Sequence, residues 1–256
     1  MTFFEIKSVS KSFGGLQAVN RCSFRLEQGT IVCLLGPNGA GKTTIFNLIT
    51  GFLKVDEGSI WYKNENITNL KAYEVAKRGI SRSWQGLQLF HKMTVLANVL
   101  LAIPNQGGER IWKIFANPIQ IARENKENKR KAFTWLERVG LIRRIGTLTG
   151  DLSYGEQKLL SIARLLATEA DLFLLDEPIA GTDPRSANEM ISLIKELVEE
   201  GKTICIVEHN LELVKSLSGY IIFLDQGQVI AEGEVTDIVR DPHLANIYFG
   251  TREKEA

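Results

Sequence analysis

Cysteine is scarce in this sequence: Cys22, Cys33 and Cys205 are the only three in 256 residues, an odd number with no CxxC pair. That excludes a disulfide framework and offers no metal-ligand spacing, while neighbours such as Val, Ile, Leu and Phe suit reduced thiols in a cytosolic core. An excess of one charge is missing too, since 31 Lys and Arg stand against 30 Asp and Glu. Without a global field to draw in a polyanion, bulk nucleic-acid binding is disfavoured. Long apolar runs are absent as well. Ile31 to Leu35, Leu172 to Leu175 and Tyr220 to Leu224 fall far below the ~18 residues needed to span a bilayer, and Met1 to Lys7 lacks a charged stretch followed by an apolar one. Any membrane role is therefore expected to come through a partner. What is present, 44% hydrophobic and 24% charged residues, is ordinary for a soluble globular chain. The length allows one large domain, or a core with one subdomain.

Phe3 to Phe13 and Ala18 to Leu26 alternate in part between apolar and polar residues and are broken at Gly14-Gly15 and Gly29, which predicts antiparallel strands joined by turns. Ile31 to Leu35 is a short continuous apolar run between Gly29 and Gly36, the pattern of a strand buried on both faces. Leu172 to Leu175 and Thr203 to Val207 share it. Between them Met190, Ile191, Ile194, Leu197 and Val198 recur at helical spacing over Arg185 to Glu200, with Asp183 as N-cap, Pro184 at N1 and Gly201 beyond the end. Strand, helix, strand predicts a parallel sheet with a crossover. From Leu87 to Gly150 the apolar spacing turns helical in places, as in Phe133, Leu136 and Val139, so a helical insertion is expected there. Its run Arg123 to Lys131 holds five basic and two acidic residues, with Arg123–Glu127 and Glu127–Lys131 spaced i,i+4, and reads as a solvated helix face rather than a phosphate patch.

Gly36-Pro37-Asn38-Gly39-Ala40-Gly41-Lys42-Thr43 fits G-x-x-x-x-G-K-[ST] after a buried strand and before a helix through Thr50, capped by Gly51. The glycines let backbone N–H groups turn around a phosphate, and the helix start adds partial positive charge. Lys42 reaches terminal phosphates, and the Thr43 hydroxyl suits Mg2+. A bare glycine turn would require neither side chain. Leu172 to Leu175 runs into Asp176 and Glu177, two carboxylates at the C-terminal end of a strand, where open α/β sheets bind ligands. Asp176 suits Mg2+, and Glu177 suits polarising a water against the terminal phosphate. Ser153 and Glu156 form a capping box for the apolar helix that follows, which explains Ser153 without a ligand. Gly155 in that first turn weakens a helix unless something must approach closely.

Taken in order, these residues resemble the ATP-binding cassette ATPases of ABC transporters, across almost the whole chain. The resemblance places Phe13 at the adenine-stacking position, Gly36 to Thr43 as Walker A, Gln85 as the Q-loop glutamine and Leu152 to Gln157 as the signature. It makes Asp176 and Glu177 Walker B and catalytic base, Ala180 to Asp183 the D-loop, and His209 the switch histidine. It implies an α/β P-loop NTPase (RecA-like) fold, with a parallel-sheet core, an N-terminal antiparallel β subdomain and an inserted helical subdomain. Residues 1–86 and 158–256 would form the nucleotide-binding core, and 87–157 the helical subdomain with the signature. The cofactors implied are ATP, held by Phe13, Gly36, Asn38, Gly39, Ala40, Gly41, Lys42, Thr43, Thr44, Ser153 and Gly155, and Mg2+, held by Thr43, Gln85 and Asp176. Catalysis would fall to Glu177, His209 and Gln85.

The chain departs from the family pattern at Tyr154, where the signature usually has Gly. Within the family, that tyrosine, the Val207-Glu208-His209-Asn210 and Ile179 to Pro184 stretches, and the basic insertion around Trp112 to Trp135 look like the ATPase subunits of branched-chain amino acid importers. Lipopolysaccharide-export ATPases are the alternative, being similar in size and in the closing Ile247-Tyr248-Phe249-Gly250 segment. The partners implied are a second ATPase subunit packed head to tail (a copy or a paralogue), transmembrane permease subunits and, indirectly, a substrate-binding protein. The location implied is peripheral, on the cytoplasmic face of the membrane. A soluble cassette protein of DNA repair or translation would usually bring a coiled coil or a second cassette. A small-molecule kinase or GTPase would leave the signature unexplained, and no NKxD guanine-reading segment is present.

Overall fold

The structure, a computed structural model, describes residues 2–84, 86–104, 106 and 117–240. The strands are β1 (Phe4–Phe13), β2 (Leu16–Leu26), β3 (Ile31–Leu35), β4 (Glu57–Tyr62), β5 (Glu65–Asn66), β6 (Ile80–Arg82), β7 (Leu172–Asp176), β8 (Thr203–Val207), β9 (Tyr220–Asp225) and β10 (Gln228–Glu234). The helices are α1 (Lys42–Ile49), α2 (Ala72–Lys77), α3 (Val95–Leu100), α4 (Pro118–Arg138), α5 (Tyr154–Ala167), α6 (Pro184–Glu199), α7 (Leu211–Leu217) and α8 (Val235–Arg240). They fall into two compact units, one made of Met1–Arg82, Asp171–Pro178 and Ile194–Ala256, the other of Ser83–Ala170 and Ile179–Leu193. Gln85, Trp112 and the closing segment from Asp241 lie outside the described residues.

In the first unit, β1 and β2 form the expected hairpin, turning at Gly14 with φ 57°, and join β4 and β5 in an antiparallel sheet ordered β2-β1-β4-β5. Alternation along β1 is only partial because the strand bulges: Ser8 takes φ 47°, and the register to β2 shifts between Ile6 and Val9. The second sheet runs β10-β9-β3-β8-β7-β6. The three continuous apolar runs become β3, β8 and β7 at its centre, each flanked on both sides and parallel to its neighbours. That is why they carry no polar face. β7 and β8 pair from Leu172↔Thr203 to Asp176↔Val207, the parallel crossover that the strand–helix–strand pattern predicts. β10 adds an antiparallel edge on β9. Phe4, Ile6, Phe46, Ile60, Tyr62, Leu174 and Cys205 share one buried cluster that joins the two sheets through α1. All three thiols are buried, and burial pushes those of Cys22 and Cys33 up to about 12, so they stay neutral.

In the second unit α3, α4 and α5 pack on one another. The buried stripe of α4 is Ala132, Leu136 and Val139, whereas Phe133 is 37% exposed. The i,i+3 spacing of Phe133 with Leu136 therefore marks the edge of the stripe, and the small Ala132 marks its centre. The basic run does face solvent, with a different pairing from the one its spacing predicts. Glu127 pairs with Arg130 at 2.6 Å, and Lys131 reaches Glu169, 38 positions on and just past the end of α5, at 2.6 Å. Asn98 is fully buried and satisfied. Its Nδ2 donates to Phe90 O, Thr94 O and Thr149 Oγ1, and its Oδ1 accepts from Phe90 N, which pins the start of α3 to the preceding loop. Asp183 caps α6 as expected, its Oδ1 accepting from Arg185 N and Ser186 N at 3.1 Å each. No helix among the described residues is long and apolar enough to cross a membrane.

Candidate nucleotide site

β3 ends at Leu35 and the chain turns sharply at Gly36, where φ is 152° and a Cβ would stand 2.1 Å from Leu224 O. Only glycine fits so close to a neighbouring strand. Gly41, at φ 98°, is the N-cap of α1 and is likewise held, since a Cβ there would meet Ala18 O at 2.5 Å. Ala40 O accepts from Gly227 N, and Gly227 O accepts from Asn20 N, so the β9–β10 turn and β2 brace the loop from outside. Because the cap is glycine, α1 has no side-chain cap, and its first turn carries no acidic residue. Its leading amides are thus offered to an anion. Lys42 Nζ spans the loop, donating to Gly36 O at 2.7 Å and Pro37 O at 2.8 Å. Burial lowers its pKa, and the nearby charges of Glu177 and Asp176 oppose that. Phe13, at the end of β1, leaves its ring 45% exposed with Lys11 Nζ 5.6 Å from its centroid, an apolar face suited to a flat base.

The carboxylates follow from the sheet. Asp176 is the last residue of β7 and is buried, while Glu177 leaves the strand at φ 47° with its N–H donated to Val207 O at 3.0 Å. A non-glycine residue in that left-handed region costs on the order of 1 kcal/mol and is retained where the turn itself is needed. The turn brings Glu177 Oε1 to 3.4 Å from Nδ1 of His209, which follows β8 by one residue beyond Glu208. Phe13, the Gly36 to Thr44 loop, Asp176, Glu177 and His209 thus all lie in the first unit. Thr43 and Asp176 are hard oxygen donors, a fit to Mg2+ rather than to a softer metal. Gln85 lies outside the described residues.

A residue that sequence reasoning missed stands beside Asp176. Arg82, ending β6, donates from Nη2 to Asp176 Oδ2 at 3.1 Å and from Nη1 to Asn47 Oδ1 at 2.6 Å. Nothing local marks an arginine whose partner is 94 positions away.

In the second unit, Ser153 and Glu156 form the expected capping box: Ser153 Oγ accepts from Glu156 N at 3.3 Å, and Glu156 Oε2 accepts from Ser153 N at 2.9 Å. The close approach that Gly155 calls for comes from the start of α6, because a Cβ on Gly155 would stand 2.5 Å from Ser186 Oγ and 3.0 Å from Asp183 Oδ2. Ser186 Oγ is itself held by Asp183 Oδ2 at 2.6 Å. Tyr154 lies over Gly181, whose Cβ would meet its Cε1 at 3.2 Å, and its ring centroid is 5.5 Å from Lys158 Nζ. The start of α5 and the Gly181 to Ser186 stretch are therefore packed against each other, which accounts for the tyrosine by contacts within the chain.

The ABC transporter family profile matches residues 19–180. The high-affinity branched-chain amino acid transport ATP-binding protein LivG of Salmonella typhimurium is 37% identical over 246 residues, 96% of each chain. The crystal structure of a nucleotide-free ATP-binding cassette from an ABC transporter superposes with a TM-score of 0.85 at 34% identity, over 97% of this chain and 99% of that one. A dimeric, post-hydrolysis cassette bound to ADP and Pi superposes at 0.75 with 26% identity, over 91% of this chain and 99% of that one. The chain belongs to the ABC transporter family as an ATP-binding cassette ATPase, homologous to the ATP-binding subunits of branched-chain amino acid transport.

Proposed function

We propose that this chain powers uptake of branched-chain or other hydrophobic amino acids. In this reading it sits peripherally on the cytoplasmic face of the membrane, beneath permease subunits that a substrate-binding protein serves. The observation that carries the ATPase part of the reading is Lys42, spanning a glycine-braced loop within the field of Asp176 and Glu177, and the branched-chain amino acid transport relatives support the substrate. We take 1–86 and 158–256 as the nucleotide-binding core and 87–157 as the helical subdomain bearing the signature. Phe13 stacks on adenine, and the amides of Gly36 to Thr44 together with Lys42 hold the phosphates. Thr43, Asp176 and Gln85 hold Mg2+, which neutralises charge on the phosphate oxygens when bound. Glu177 orients the attacking water and takes its proton, and His209 keeps the Glu177 carboxylate in position.

A second chain, a copy or a paralogue, packs head to tail so that the α5 start at Ser153 and Gly155 meets the γ-phosphate. That α5 helix start carries partial positive charge suited to it. The dimeric cassette bound to ADP and Pi, at 26% identity, supports this arrangement, and the transport ATP-binding relatives support the permease partners. The near balance of 31 basic and 30 acidic residues speaks against nucleic acid as a partner.

Solubilising native membranes and capturing the full chain should bring down integral membrane permeases. Reconstituted with them and the binding protein, the chain should drive ATP-dependent leucine uptake that isoleucine and valine compete away. Capture of nucleic-acid repair factors without permeases would overturn the transport reading. Uptake indifferent to valine and isoleucine would overturn the substrate.

A further inference from the structure

Arg82, buried in an ion pair with Asp176, is used by none of the steps above. The two side chains are 3% and 6% exposed, and the Arg82 guanidinium also lies 5.3 Å from the Phe46 ring centroid. One planar group thus bridges the end of β6, helix α1 at Phe46 and Asn47, and the end of β7. All these residues belong to the first unit.

A carboxylate at a strand end is free to rotate about its last bond unless something holds its plane. Nη2 holds Oδ2, and Nη1 is in turn fixed by Asn47 on the helix that carries the phosphate loop. Fixing one oxygen of a planar carboxylate fixes where the second one stands. A lysine could supply the charge at this spot but not two donors in a rigid fork.

We propose that Arg82 is a positioning residue for the Mg2+ carboxylate: with Asn47 as its anchor, it sets the orientation of Asp176 relative to the phosphate loop. This rests on the reading of Asp176 as a Mg2+ ligand. Outer partners that orient a metal ligand cost 10- to 100-fold in metal affinity when removed. Arg82 therefore acts on metal affinity and leaves contacts to the nucleotide itself untouched.

The test uses Mn2+ as the probe, its affinity read by electron paramagnetic resonance on the full chain saturated with a non-hydrolysable ATP analogue. Affinity for the analogue is measured separately in EDTA, and folding is followed by thermal melting. Arg82→Lys should stay folded and lose about 10-fold or more in Mn2+ affinity, with analogue affinity in EDTA unchanged. Asn47→Ala, which keeps the guanidinium but frees its anchor, should show a smaller loss in the same direction. Asp176→Asn reports on the underlying reading. If Asp176→Asn weakens Mn2+ while Arg82→Lys and Asn47→Ala stay within about 2-fold of the parent, the positioning role is overturned and the ligand stands. If Asp176→Asn leaves Mn2+ affinity unchanged, both fall. Equal losses of Mn2+ and analogue affinity in Arg82→Lys would make Arg82 a purely structural residue and overturn the proposal.

Discussion

Replacing Glu177 with glutamine is expected to stop ATP turnover and to leave a stable ATP-bound pair of chains. Glutamine keeps the size and reach of glutamate but cannot accept a proton, so the water loses its base, an effect worth ~10²- to 10⁴-fold in rate. The backbone at this position is set by the φ 47° turn and the bond from its N–H to Val207 O, neither of which depends on the side chain. The variant should therefore fold as the parent does. Removing a negative charge next to the γ-phosphate also relieves repulsion. ATP then remains held by Lys42 on one chain and by the helix start at Ser153 on the other, so closure is favoured while opening by hydrolysis is blocked. Mass on a sizing column and phosphate release should be read on the same Mg-ATP sample, with Ser153→Arg mixed in as the variant that blocks the opposite face. Turnover at the parent rate would sink the assignment of Glu177. An inactive chain that stays monomeric with permease present would sink the shared ATP site.

Lys42→Ala should abolish useful nucleotide binding. The ammonium already lies across the loop, bound to the carbonyls of Gly36 and Pro37, and it is partly buried, so the interaction it makes with a phosphate is poorly screened. Losing a charged hydrogen bond of this kind costs ~1.5 to 3 kcal/mol, or about 10- to 150-fold in affinity. The fold should survive, because the loop is braced by Gly227, Ala18 and Asn20 rather than by the lysine alone. Fluorescent-nucleotide titration would show it. ATP affinity within about 2-fold of the parent would contradict the charge argument.

What the sequence made legible was local or strongly periodic. β3, β7 and β8 announced themselves as continuous apolar runs because a central parallel strand has no solvent face. The Ser153–Glu156 box and the Asp183-Pro184 start of α6 could be read because a cap and its partner lie within three residues of each other. The phosphate loop carried its own grammar. The parts that stayed hidden depend on neighbours distant in sequence. Phe133 looked like core until α4 packed through Ala132. Glu127 chose Arg130, because side-chain reach rather than nominal spacing selects among several cations. The reason for Gly155 was visible as a demand for close approach, but the approaching group, Ser186, could be named only once α6 was in place. Arg82 gave no sign at all: an arginine ending a three-residue strand looks like a surface residue until β6 is set beside β7.

The account rests most heavily on the claim that this chain hydrolyses ATP at the Lys42–Glu177 site and does so as a pair. Inorganic phosphate release by the purified chain in Mg-ATP, followed over a range of protein concentrations, tests that directly. The rate per chain should rise with concentration before reaching a plateau, since a second chain must supply Ser153, and it should vanish in EDTA, in Lys42→Ala and in Glu177→Gln. Release at a rate per chain independent of concentration, or release that persists in Glu177→Gln, would contradict it.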